Sequence, residues 1–265
     1  MLKAKIFYFS GTGNTEFVSK KIKEEFEKKN IETKIMAIET IEGKPDTEEL
    51  EYIGVGFPVY ALSVPMIVEK FINSLPEAKS GQKAFAFSTS AGLVGGAVFK
   101  AVGLLRKKGF SMVYSPSFTM PGNTKPGGKG GYERPPEEKI RNLFENAEKQ
   151  ATEVAVKILA DETGVEGSLG FIGKILTFLT SGIRPAMRKT GQEHFSVTSD
   201  CNLCKLCYSI CPTGNIEIEN EQVVFGENCE NCLRCIHFCP QKAILKQGKT
   251  QEQYKAPGYE PPKLR

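Results

Sequence analysis

Eight cysteines constrain this chain more than any other feature, because all of them fall between Cys201 and Cys239 and none lies in the first 200 residues. Cys201, Cys204, Cys207 and Cys211 are spaced C-x2-C-x2-C-x3-C with Pro212 following; Cys229, Cys232, Cys235 and Cys239 repeat the spacing with Pro240. Each cysteine recurs 28 residues later, as does Ile216 at Ile244, so the segment is an internal duplication. Soft thiolates in fours suit iron–sulfur cubanes or zinc. Structural zinc sites usually pair two C-x2-C knuckles at a distance and have no use for a third cysteine per loop or for Cys-Pro. Disulfides do not suit a chain that opens without a secretory signal, and no C-x-x-C-H is present to attach haem. Cluster binding is the reading that employs all eight thiols.

The rest of the chain must fold around something else. At 265 residues there is room for two ordinary domains, and 40% apolar with 25% charged residues supplies a full core. A net charge of +4 is too slight to argue for nucleic acid or an anionic membrane as partner. The opening Met1-Leu2-Lys3-Ala4-Lys5 runs straight into a strand-like segment, so a cytoplasmic location is expected. The apolar stretch from Gly167 to Gly182 is shorter than the roughly 20 residues a bilayer requires and carries Lys174, so no transmembrane segment is expected.

From Lys3 to Ala160, short apolar runs alternate with amphipathic helical stretches, the pattern of a parallel sheet covered on both faces. Five strands are predicted: Ala4 to Phe9, Glu32 to Ala37, Tyr52 to Phe57, Lys83 to Ser88 and Phe110 to Phe118. Helices are predicted around Phe17 to Phe26, Met66 to Ile72, Val94 to Lys108 and, with the clearest period, Ile140 to Leu159. Thr40 to Glu49 is too short and polar for a full helix, so that crossover is expected to be degenerate. The expected fold is α/β, a doubly wound five-stranded parallel sheet over residues 1–160, whose ligands would sit at the carboxyl ends of the strands. Residues 161–197 read as a linker with an apolar bridging helix, Leu169 to Leu179, that packs within the chain or, alternatively, forms a homodimer contact or lies on a membrane surface. A small α+β domain follows at 198–247, and residues 248–265 read as a loosely held tail. Of the two histidines, His237 reads as a surface or packing residue.

Directly after the first strand comes Ser10-Gly11-Thr12-Gly13-Asn14-Thr15. It lacks the Gly-Lys-Ser/Thr of a P-loop and the third glycine of a dinucleotide fingerprint. Small residues at a helix N-terminus, with three hydroxyls and an amide nearby, make a phosphate cradle without a cationic side chain. Such a loop suits a terminal monophosphate, as in FMN. On these residues the first 160 or so resemble the flavodoxin-like family. The resemblance implies phosphate contacts from Ser10, Thr12, Gly13, Asn14 and Thr15. It also implies a strand-three loop of Pro58, Val59, Tyr60 and Ala61, with Tyr60 stacking on the flavin. The strand-four loop Ser88, Thr89, Ser90 and Gly92, followed by Gly95, would then meet the pyrimidine edge. The chain departs from that family in having no tryptophan and no aromatic in the strand-four loop, which leaves one flavin face without a ring. Met120 to Pro135 after strand five is a long stretch of the kind that serves as a lid or binding loop, or is plain surface.

The cysteine segment resembles the bacterial two-cluster ferredoxins along its whole length. The resemblance implies that Cys201, Cys204, Cys207 and Cys239 hold one [4Fe-4S] cluster, and that Cys229, Cys232, Cys235 and Cys211 hold the other. Leu203, Leu206, Ile210, Ile216, Val224, Phe225, Leu233, Ile236, Phe238 and Ile244 would exclude water around them. Residues 198–247 carry four cations against six carboxylates. With about −2 per loaded site the module approaches −6, which points to a partner with a basic docking face or to a small electron acceptor. In domain order the chain resembles the flavodoxin-ferredoxin fusion proteins of anaerobes. The implied function is an oxygen-sensitive electron-transfer flavoprotein that relays low-potential electrons between two [4Fe-4S] clusters and FMN and on to a redox partner. The alternative is an FMN-dependent reductase of a small organic substrate with the clusters as electron inlet. No catalytic side chain is singled out, and nothing specific supports a purely sensing role.

Overall fold

A computed structural model describes residues 2–125, 131–166 and 194–265. The expected bridging helix and part of the strand-five loop lie outside these. The chain forms two compact units. Among described residues the first holds 2–10, 14–121 and 137–166, and the second holds 11–13, 122–125, 131–136 and 194–265.

In the first unit the elements run β1 (Lys3–Tyr8), α1 (Asn14–Glu27), β2 (Glu32–Ala37), β3 (Tyr52–Pro58), α2 (Met66–Ser74), β4 (Lys83–Ser90), α3 (Ala97–Lys107), β5 (Ser111–Met112), β6 (Ser117–Thr119) and α4 (Glu137–Leu159). The strands are parallel in the order β2-β1-β3-β4-β5, with β6 also beside β4. This is the expected doubly wound α/β fold. Central β3 and β4 are buried on both faces, whereas edge strand β2 alternates between buried and exposed. Gly54 and Gly56 are glycine because the sheet needs the room. A Cβ at Gly56 would lie 2.2 Å from the Phe87 ring, and one at Gly54 2.6 Å from that of Phe85. Val18, Ile22 and Phe26, at helical spacing on α1, are fully buried. The outer side of α1 meets α4, where the rings of Phe17 and Phe144 stand edge-on at 4.6 Å. Between β2 and β3 there is only a single 3-10 turn, Ile38–Thr40, as the polar composition of that crossover requires.

The predicted fifth strand is corrected in one respect: it is interrupted. Pro116 has no N–H to give to a ladder. Ser115 turns outward, donating its N–H to the Gly164 carbonyl at 2.8 Å and accepting from Glu166 N–H at 2.9 Å, while its hydroxyl receives Ala86 N–H. The strand therefore becomes β5 and β6, with residues 164–166 covering the gap.

In the second unit, β7 (Phe195–Val197) pairs antiparallel with β10 (Ile244–Lys246), and β8 (Ile216–Glu219) with β9 (Gln222–Phe225). Asn220 and Glu221 turn the β8-β9 hairpin with φ of 46° and 58°, the left-handed pair of a tight hairpin turn. Short helices α5 (Leu206–Ser209) and α6 (Arg234–His237) each follow a cysteine loop. The duplication is visible in the backbone. Leu203 and Asn231 (φ 55° and 54°), Lys205 and Leu233 (both 61°), and Gly214 and Lys242 (61° and 51°) are left-handed in pairs, 28 residues apart. Phe195, Ile216, Phe225, Leu233, Ile236 and Ile244 make the core. Val224, expected in that packing, is 38% exposed because it sits on the outward face of β9.

Residues 248–265, expected as a loosely held tail, are packed. Tyr254, Ala256 and Tyr259 are each 2% exposed or less. Tyr254 N–H donates to His237 Nδ1 at 3.1 Å, and the Gln253 amide donates to the Ile236 and Cys239 carbonyls. Arg265 pairs with Glu217 at 2.8 Å and lies 4.0 Å over the Tyr208 ring.

Candidate functional site

The loops C-x2-C-x2-C each carry two left-handed residues, Leu203 and Lys205 in one and Asn231 and Leu233 in the other, which bend the backbone tightly between the cysteines. Cys201, Cys204, Cys207 and Cys239 line one cavity, and Cys211, Cys229, Cys232 and Cys235 line a second. Among the described residues no three His, Cys, Asp or Glu side chains converge as they would on a single ion; the thiols surround a volume instead. Backbone N–H groups reach sulfur at matching places in the two halves: Asn215 to Cys211 at 3.2 Å and Ala243 to Cys239 at 3.4 Å. Asn231 N–H adds a contact to Cys229 at 3.3 Å. Burial pushes the Cys207 thiol up to about 11 and Cys232 up to about 12, the latter against the pull of the Arg234 guanidinium, and also holds the Cys235 thiol well above its usual range. Thiols so placed are costly as bare thiolates. They fit a site whose cationic iron core neutralises them, so the residues present suit a four-iron cluster in each cavity.

The second constellation lies at the carboxyl ends of β1, β3 and β4, where a doubly wound sheet receives ligands. Ser10, Thr12 and Thr15 are all buried, and Asn14 opens α1. Gly13 has φ of +102°, a conformation that side chains resist. Thr15 and Thr89 share a hydroxyl hydrogen bond of 2.9 Å, and Val59 N–H donates to the Thr89 carbonyl at 3.0 Å, so the three loops are tied together. Asn14 donates its amide to the Pro121 carbonyl at 2.7 Å. Tyr60 and Ser63 exchange backbone hydrogen bonds across Ala61 and Leu62, both left-handed. Leu62 fits against Gly95, where a Cβ would come within 2.8 Å. Tyr60 is half-buried and meets Phe9 edge-on at 6.5 Å. Ser88 bonds Ser117, and Ser90 accepts from Gly92 N–H. Buried neutral hydroxyls at the start of a helix fit a phosphate monoester.

Several residues here escaped the sequence reading. Within the second unit, Ala256 N–H donates to the Thr12 carbonyl at 2.8 Å, and a Cβ on Gly13 would strike Tyr259 at 2.5 Å and Ala256 at 2.7 Å. Asn123 bonds both the Thr12 hydroxyl and the Cys232 carbonyl. His237 is 4% exposed and is a packing residue: Nδ1 accepts from Tyr254, so Nε2 carries the proton given to the Asn123 carbonyl at 2.8 Å. Isolated tyrosines among prolines carry no period, so only their aromatic character in a polar tail signals anchoring.

A family model described as a flavodoxin domain matches residues 5–93. The ferredoxin-like protein in the nif region of Nostoc sp. is 47% identical over 49 residues, 18% of this chain and 42% of that protein. A polyferredoxin of Methanothermus fervidus is 34% identical over 53 residues, 20% of this chain and 13% of that one. Oxidised flavodoxin 2 from Bacillus cereus aligns at a TM-score of 0.43 and 20% identity, over 60% of this chain and 98% of its own. The chain spans less than half the length of these curated relatives. It joins a flavodoxin domain, which implies FMN, to a ferredoxin-like segment, which implies iron–sulfur clusters. No described helix is long and apolar enough to cross a membrane.

Proposed function

We propose that the protein relays electrons between two [4Fe-4S] clusters and FMN, and onward to a redox partner. The observation that carries this reading is the presence, in one chain, of two cavities each lined by four cysteines and of a loop of buried neutral hydroxyls at the carboxyl edge of a parallel sheet. When bound, FMN supplies exchange between two-electron and one-electron chemistry, and each cluster carries one electron. Cys201, Cys204, Cys207 and Cys239 serve one cluster, and Cys211, Cys229, Cys232 and Cys235 the other. Leu233, Ile236 and Ile244 keep water from them, while Ser10, Thr12 and the amides from Gly13 to Thr15 hold the phosphate. Pro58, Val59, Tyr60, Ala61, Ser88, Thr89, Ser90, Gly92 and Gly95 border the ring.

The tail alters the expected field. With it, the described residues of the second unit carry ten Lys or Arg against nine Asp or Glu. The loaded unit is then near −3, so steering toward a basic partner is weaker than residues 198–247 alone suggest. Anaerobic stopped-flow mixing of the holoprotein with dithionite, read at cluster and flavin wavelengths, tests the relay. Flavin reduction that tracks cluster reduction, and is lost when the clusters are removed, is the expected result. Flavin reduction at an unchanged rate without clusters overturns it. Multiple turnovers with a small organic acceptor and no protein partner would indicate a reductase instead.

A further inference from the structure

The loop after β1 belongs to the second unit from Gly11 to Gly13, and its ties within that unit lead to the second cysteine run. One Asn123 amide nitrogen donates to the Thr12 hydroxyl at 3.4 Å and to the Cys232 carbonyl at 3.2 Å. A single side chain therefore joins the phosphate loop to a cysteine of the second cavity. The Asn123 carbonyl accepts from His237 on α6 at 2.8 Å, which holds this residue in place. The tail makes the same link again. Ala256 N–H donates to the Thr12 carbonyl at 2.8 Å, and the Tyr259 side chain lies 2.5 Å from where a Cβ on Gly13 would stand. The Tyr259 hydroxyl accepts from Arg234, two residues beyond Cys232.

The first run has different surroundings. Cys204 is exposed where its repeat mate Cys232 is buried, and Asn202 and Lys205 are exposed where Glu230 and Leu233 are buried. With Pro240 and Gln241, also exposed, these residues line the cavity of Cys201, Cys204, Cys207 and Cys239. Polar groups with a single charge are what a transient protein contact places at its rim. Electron transfer slows steeply with distance, so a relay works best with one centre close to the flavin and another within reach of the partner. Resting on the relay proposed above, we infer that the two clusters act in a fixed order. The cluster held by Cys211, Cys229, Cys232 and Cys235 is the one beside the FMN phosphate. The cluster held by Cys201, Cys204, Cys207 and Cys239 exchanges electrons with a redox protein docked over the exposed Cys204 loop. Each passage moves one electron from the reduced partner to the first cluster and from there to the second, with no bond made or broken.

The test uses the full chain loaded with FMN, as wild type, Cys211→Ser and Cys239→Ser. Cys211→Ser is expected to keep only the first cluster and Cys239→Ser only the second, with iron and sulfide analysis confirming the loss. A cubane reduced by dithionite is paramagnetic, so the broadening of the FMN phosphorus resonance reports how close the phosphate lies to it. Reduction should broaden that line in Cys239→Ser nearly as much as in wild type and leave it sharp in Cys211→Ser. A neutral gadolinium chelate, too large to enter either cavity, stands in for the partner. It should speed the spin relaxation of the cluster left in Cys211→Ser far more than that of the cluster left in Cys239→Ser. Cys201→Ser and Cys229→Ser form a second pair if either variant loses both clusters. Equal broadening in the two variants, broadening in Cys211→Ser alone, or a chelate that acts equally on both clusters overturns the order while leaving the cofactors in place. A wild-type phosphorus line at the position of free FMN overturns the phosphate loop instead, and wild-type iron and sulfide short of two clusters overturn the cluster assignment.

Discussion

The two halves of the cysteine segment have the same backbone and different surroundings. Both wind through left-handed residues at equivalent places, both end in a one-turn helix, and both send a backbone N–H to their fourth cysteine four residues on. Yet Cys204 in the first half is exposed where its mate Cys232 is buried, and Leu206 is replaced by a buried Arg234. The tail explains much of this. Gln253, Tyr254 and Tyr259 pack on α6, whereas Leu264 and Arg265 reach α5. The spacing of the cysteines determines which sulfurs line which cavity, and what packs on each half sets how deeply they are buried, so a duplication can keep its cysteine pattern while its two sites diverge in surroundings.

The strongest way to break this comparison is to exchange the crossing cysteines. Cys211→Ser should abolish the spin signal of the cluster built on Cys229, Cys232 and Cys235, and Cys239→Ser that of the cluster built on Cys201, Cys204 and Cys207. Loss confined to the mutated cysteine's own run would show that the halves do not cross. Next in size, Tyr259→Ala removes a ring packed on Gly13 and the hydroxyl beside Arg234, and should destabilise the second half by about 3 kcal/mol. Hydrogen exchange should show faster opening of α6 than of α5, and equal acceleration of both would contradict the asymmetry.

Acid should also separate the halves. Burial holds the His237 imidazole down to about 4, while its unfolded counterpart titrates near the usual 6.5. Between those values the unfolded chain binds the extra proton. The stability His237 contributes is therefore complete above about pH 6.5 and is lost as pH falls toward 4, by up to about 3 kcal/mol. The equivalent residue in the first half, Ser209, does not titrate. Thermal midpoints of wild type should fall across this window, and those of His237→Gln should fall less; parallel curves would assign the acid sensitivity elsewhere. The smallest effect concerns Gly214 and Lys242, left-handed mates with unlike residues. Lys242→Gly should stabilise by about 1 kcal/mol, and Gly214→Ala should destabilise by a similar amount. A loss of stability in Lys242→Gly would mean that the lysine side chain contributes more than its backbone strain costs.

The chain's own pattern was enough for β2, whose bounds were read correctly, and for the buried runs of β1, β3 and β4, because a parallel sheet covered on both faces leaves an unbroken apolar signature. The fifth strand was misjudged because Phe110 to Phe118 is apolar enough to look continuous, and only Pro116 announces the break. The loops at the carboxyl ends of β1, β3 and β4 were legible as glycine, serine and threonine after strands, but not that Thr15 would spend its hydroxyl on Thr89. That pairing depends on the first turn of α1 and the end of β4, 74 residues apart, being brought together. The tail was opaque because its anchors are single aromatics without period.

The account as a whole rests on one chain carrying three redox groups. A reductive titration of the anaerobically purified holoprotein with dithionite, followed by absorbance and spin resonance, tests this most directly. Uptake of roughly four electrons per chain, two at the flavin and one at each cluster, is the predicted result. Uptake of two or fewer, with no cubane signal in the reduced protein, would contradict it.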